Sequence, residues 1–160
     1  MLPAGLAVLG PFSINQFITG SLVNMILILV VFKVGIIPAI STGVVSSFMA
    51  MILQIGPIFP QLVVFIALAN IIFVTLIYII NKSKIFLNEN FALILALATS
   101  SVMKFLFLKL TIPFALELIN NISDVQVKTL TIMFSWPQLI TAITGSILAL
   151  LLKKYLKKAF

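Results

Sequence analysis

The sequence has no cysteine, no histidine and no arginine, and only three acidic residues among 160. Without Cys or His there is no disulfide framework, no soft ligand of the kind zinc, copper, nickel or cobalt prefers, and no imidazole to move protons near neutral pH. The acids are Glu89, Glu117 and Asp124. All three fall in segments read as loops, so no carboxylate pair stands inside a helix for hydrolysis or for holding a metal. A glycine-rich phosphate loop with its lysine is also missing. The chain therefore reads as a non-enzyme without cofactor or metal. Charged residues make up 8% of it, against about 25% in soluble domains. So few charges cannot cover the exterior of a folded chain, and a water-soluble globule is excluded.

What is present is apolar. Hydrophobic residues make up 62% of the chain, and the mean hydropathy is +1.33. Lipid must be the solvent for most of the surface, which makes this an integral membrane protein. Residues 71–80 and 142–152 are apolar all round, whereas a membrane β-barrel needs alternation, so the spans are helices. A span takes about 20 residues, so the chain fits one domain, 1–160, holding a compact bundle of at most six. Ten lysines give a net charge of +7. Nucleic acid is not the reading, because four of them, Lys153, Lys154, Lys157 and Lys158, sit in one tail directly after an apolar helix. That cluster is a topology signal.

The apolar segments divide the chain. Residues 1–10 lack the basic region of a signal peptide and are kept in the fold as a first helix, short or truncated because Pro11 interrupts it. A second helix over 19–34 closes at Lys33 and Gly35, and a third over 38–53 carries Ser41, Thr42, Gly43, Ser46 and Ser47, a composition that suits an interior helix. The fourth covers 59–80. The fifth covers 90–110, with Ala92, Ala96, Ser100 and Lys104 on one stripe, and Pro113 ends it. Residues 114–134 are too polar to span and read as an interfacial excursion with one short amphipathic helix after Asn120 and Asn121. Ser135 and Gln138 resemble a capping box that opens the last helix, which runs to residue 152 with Thr141, Gly145 and Ala149 as a second stripe of small residues.

A cytoplasmic C-terminal tail also puts Lys33, Lys82 and Lys84 inside, leaving Lys109 and Lys128 outside. The longer connections, 11–17, 54–59 and 113–134, then lie on the outer side, where a protein capturing something from outside needs them.

Within the spans the chemistry rests on uncharged polar groups in the outer half: Gln16, Thr19, Ser21, Asn24, Asn70, Gln138 and Thr141, with Lys104 as the charge furthest inside. Each needs a partner in hydrocarbon. Hydrogen bonding between helices is one source of partners and a polar ligand is another; Asn24 and Asn70, with two donors and an acceptor each, admit both. Lys104 costs about 2.5–3.5 kcal/mol at a helix centre unless it snorkels. No helical acid neutralises it; a ligand carboxylate or phosphate, or a ring of carbonyls, could. Trp136 suits an interfacial anchor or a stacking platform beside Gln138.

Three segments carry a family resemblance: Gln-Phe-Ile-Thr-Gly-Ser-Leu-Val-Asn at 16–24, Ile-Ala-Leu-Ala-Asn at 66–70, and Phe-Ser-Trp-Pro-Gln-Leu-Ile-Thr at 134–141. They resemble the S components of energy-coupling factor transporters. The resemblance implies a six-helix subunit of the cell membrane that captures a water-soluble vitamin or its precursor at the outer face. Its partners would be a transmembrane coupling protein and two ATP-binding-cassette ATPases that supply the energy. Small residues four apart on the first helix serve docking in that family; here Ala4 is followed by Val8. The expected substrate site is Gln16, Asn24, Asn70, Lys104, Trp136, Gln138 and Thr141. A self-sufficient secondary transporter would need intramembrane acids or broken helices, and a structural membrane protein would need the polar groups only for packing.

Overall fold

The structure, a computed structural model, describes residues 4–53, 55–57, 59–83, 89–120 and 122–159, with side chains left out for 4–16, 89 and 154–159. It is all-α, with no strand among the described residues. The helices are α1 (Ala4–Lys33), α2 (Ile36–Ile52), α3 (Pro60–Lys82), α4 (Glu89–Glu117), α5 (Asp124–Met133) and α6 (Trp136–Ala159). Three stretches are long and apolar enough to cross a membrane: Pro60–Lys82, Asn90–Glu117 and Asp124–Lys153. Phe17–Lys33 and Ile36–Ile52 are shorter apolar helices.

Two boundaries expected from proline are corrected. The separate helices expected over 1–10 and 19–34 are one helix, α1, which passes through Pro11, so the first helix is neither short nor split off. Likewise α4 continues through Pro113 to Glu117 instead of ending there. A proline removes one hydrogen bond, to the carbonyl four residues back, and more often bends a helix than ends it when both flanks are helical. At Pro113 that carbonyl belongs to Lys109. Both residues lie on an exposed face, and Pro113 is four residues from the helix end, where the cost of one unpaired carbonyl is small. With 1–10 absorbed into α1, the expected count of six spans loses a member, and α5, at ten residues, is too short to take its place.

The expected amphipathic helix is present as α5. Its capping box, however, is Ser123 with Gln126: the Gln126 backbone donates to Ser123 Oγ at 3.3 Å, and the Ser123 backbone donates to Gln126 Oε1 at 3.0 Å. At the pair expected to do this, the Ser135 hydroxyl instead donates backward to the Ile132 carbonyl at 2.7 Å. The α1–α2 turn is made by Gly35, whose φ of 119° and ψ of −177° suit glycine alone.

Helix α3 packs most extensively on α4, α1 on α6, and α2 on α3. Both expected stripes are buried: Ala92, Ala96, Ser100 and Lys104 on α4, and Thr141, Gly145 and Ala149 on α6. The small residues allow backbones to approach closely. A β-carbon on Gly145 would lie 2.7 Å from both Asn24 Cβ and the Ser21 carbonyl oxygen, and one on Gly43 would lie 3.1 Å from Asn70 Cβ.

Buried apolar residues form two clusters. One joins Leu27, Ile28, Phe73, Ile77, Leu97 and Ala149, with Phe32, Tyr78 and Leu150 packed against it. The other joins Leu62, Leu108, Ile112, Leu116, Leu130 and Phe134. The chain positions of Asn24, Ser47, Asn70 and Lys104 place a polar layer between the two.

Candidate functional site

The polar layer centres on Lys104. Its side chain is 3% exposed, so it does not snorkel to a surface. Its Nζ donates to Asn24 Oδ1 at 2.6 Å and to Asn70 Oδ1 at 2.7 Å. These lengths belong to charge-assisted hydrogen bonds, and an ammonium can only donate, so both amides must turn their carbonyl oxygens toward it. The Phe73 ring stands 5.1 Å from the same nitrogen and offers its negative face. One α4 side chain thereby ties α1 and α3 together.

Both donors of Asn70 are engaged as well. Its Nδ2 donates to the Gly43 carbonyl at 3.1 Å and to Ser47 Oγ at 3.0 Å, while Ser47 donates to that same carbonyl at 2.9 Å. Gly43 favours the contact, because a β-carbon there would lie 3.1 Å from Asn70 Cβ and the two helices would have to move apart by a few tenths of an ångström. Asn24 is equally buried, 1% exposed, and its place is set from behind by Gly145. Among the described residues its amide makes no other hydrogen bond than the one to Lys104.

A cleft of about 360 Å³ opens against this layer. Its polar wall comprises Asn24, Asn70, Lys104, Ser46 and Ser47, with Thr19 and Gln138 completing the polar lining. The apolar side is made by Val23, Ile66, Met133 and Phe134, and residues 55–57 of the α2–α3 connection close over it. The connections before α3 and before α6 thus meet at the same mouth. Neither Glu117 nor Asp124 comes near, as both are exposed at the α4–α5 end and neither lines the cleft. Among the described residues no cluster of acids could hold a metal.

Of the residues expected at the site, Asn24, Asn70, Lys104 and Gln138 come together in the cleft lining. Trp136 does not line it: it is 54% exposed, with its ring tilted against Phe17 at a centroid distance of 6.2 Å, an arrangement that suits an interfacial anchor. Thr141 is buried behind the lining against Gly20, and its hydroxyl donates to the Gln138 carbonyl at 3.1 Å. The Gln16 side chain lies outside the described residues. Ser46 and Ser47 were legible only as packing residues of an interior helix, yet Gly43 and Ser47 are one turn apart, and that spacing was the available signal that both meet one neighbour.

The amides do not wait for a ligand to find partners. Lys104 supplies a donor to both amide oxygens, and among the described residues no side-chain nitrogen or oxygen sealed off from the surface lacks a hydrogen bond. What remains is space and charge: among the described residues no acid lines the cleft, and the ammonium in its wall has neutral hydrogen-bond partners. No protein-family description, curated protein or solved structure matches this chain.

Proposed function

We propose that this chain is the substrate-capturing membrane subunit of an energy-coupling factor type transporter, taking a small water-soluble vitamin or precursor from outside the cell. Energy would come from partner subunits, a transmembrane coupling protein and two ATP-binding-cassette ATPases. The observation that carries the reading is the cleft itself: about 360 Å³ of space walled by a buried cation and two amides, a volume at the small end of ligand pockets, which run about 300–1,000 Å³.

Placement in the membrane supports it. Lys33 and Lys82 close α1 and α3, and Lys153 stands in the C-terminal part of α6 at the same end, its Nζ 4.9 Å from the Phe32 ring of α1. If that end is cytoplasmic, as the positive-inside rule requires, the cleft opens to the exterior of the cell membrane. In this arrangement α1, α2, α3, α4 and α6 cross the bilayer and α5 lies at its outer boundary. The test is titration of the purified protein in lipid nanodiscs with a panel of water-soluble vitamins. Saturable binding of at least one is expected; binding of none contradicts the reading.

A structural role is the second reading, and the Asn70, Ser47 and Gly43 network favours it, since Asn70 spends both its donors and one acceptor position within the chain. Substitutions at Asn24 and Asn70 would then lower thermal stability without altering the binding of any compound.

A further inference from the structure

We infer that the ligand is a monoanion, a single carboxylate carried on an apolar body, with the carboxylate received by Lys104. This inference rests on the capture reading and narrows its substrate class.

The argument is one of charge and valence. Lys104 brings one positive charge into the cleft wall, and all its hydrogen-bond partners, Asn24 and Asn70, are neutral. Among the described residues no acid lines the cleft. In a low-dielectric wall a lone cation keeps a strong field, because amide dipoles solvate it without cancelling its charge. An ammonium has three donors. The two amide oxygens take two, and no third acceptor meets Nζ among the described residues. One charge and one free donor match one carboxylate oxygen. Neutral ligands would leave the cation unbalanced, and cationic ones would add a like charge beside it.

Around this point the lining separates by chemistry. The Asn24 amide, free of other partners among the described residues, is placed to donate to the second carboxylate oxygen or to a neighbouring acceptor, and Gln138 adds an amide further along the same lining. Val23, Ile66, Met133 and Phe134 provide a surface for a ring or short chain. A dianion such as a phosphate monoester would bring one charge more than Lys104 balances, and the apolar side offers it nothing.

The experiment measures binding of matched pairs to the whole protein in nanodiscs of neutral lipid: nicotinate, biotin and 4-phenylbutyrate, each beside its primary amide, with the remaining water-soluble vitamins and inorganic phosphate as further arms. At least one acid is expected to bind about tenfold or more tightly than its own amide, the difference that follows from replacing a charge-assisted contact by a neutral one. In K104M the preference for acid over amide should vanish. Since K104M leaves two amides without their donor, the matched-pair comparison on the unaltered protein decides the inference by itself, and the thermal unfolding midpoint of K104M shows that its preference is read on folded protein. Tighter binding of the amides, of a cationic vitamin or of inorganic phosphate overturns the monoanion inference while leaving capture intact. Binding of nothing in the panel overturns the capture reading and this inference with it.

Discussion

Gly145 on α6 faces Asn24 on α1 so closely that a β-carbon on the glycine would lie 2.7 Å from Asn24 Cβ and 3.0 Å from the Met25 backbone nitrogen. The glycine therefore shapes the site from behind the cleft lining, because it determines how near α6 comes to the helix that carries one of the two amides bound to Lys104.

Gly145→Ala should cost about 1–3 kcal/mol of stability, the usual range for overpacking a close contact. The obstructing atoms include the Ser21 carbonyl and the Met25 nitrogen, which cannot swing aside as a side-chain tip would. Thermal unfolding in detergent should show a lower midpoint, and ligand affinity should fall as Asn24 is displaced. An unchanged midpoint would mean that the two helices lie further apart.

Gly35→Ala tests the opposite situation. Nothing lies within 4 Å of where its β-carbon would be, and the cost is confined to a backbone of φ 119°. Stability should drop by about 1–3 kcal/mol, the range for a residue held in a glycine-only conformation, with ligand affinity unchanged because the α1–α2 turn is remote from the cleft. Loss of affinity in a folded Gly35→Ala protein would contradict that separation.

Asn70→Ala removes an acceptor from Lys104 and both bonds to α2. Ligand affinity is expected to fall by more than about tenfold, equivalent to at least 1.4 kcal/mol. Ser47→Ala, which takes away only one of those contacts, should weaken binding less and leave Lys104 in place. Titration of both variants checks the order; an unchanged dissociation constant in Asn70→Ala removes that residue from the site.

Trp136→Ala should leave affinity within about twofold, as for a surface substitution away from the site, because the ring is exposed and stacks toward Phe17. A large loss would place the indole in contact with ligand.

The helical membrane class, the bounds of α2 and α3 to within two residues, and the burial of both small-residue stripes were legible because apolar length and four-residue spacing act locally. Pro11 and Pro113 misled because a proline's effect depends on its flanks: where both are helical, a single missing bond is tolerated. Ser135 with Gln138 matched a capping pattern as well as Ser123 with Gln126 did; only the path of the chain before each decides which serine faces the open amides. At the site, sequence singled out Asn24, Asn70 and Lys104 as costly groups in hydrocarbon. It did not show that they satisfy one another, since they lie on three helices and their meeting depends on Gly145 and Gly43 bringing those helices together.

The most direct measurement is a high-resolution experimental structure of the protein saturated with the tightest binder from the titration panel. One molecule should occupy the cleft with an oxygen in hydrogen-bond contact with Lys104 Nζ, while Asn24 and Asn70 continue to hold that nitrogen. A compound bound elsewhere, away from the cleft lined by α1, α2, α3, α4 and α6, would contradict the account.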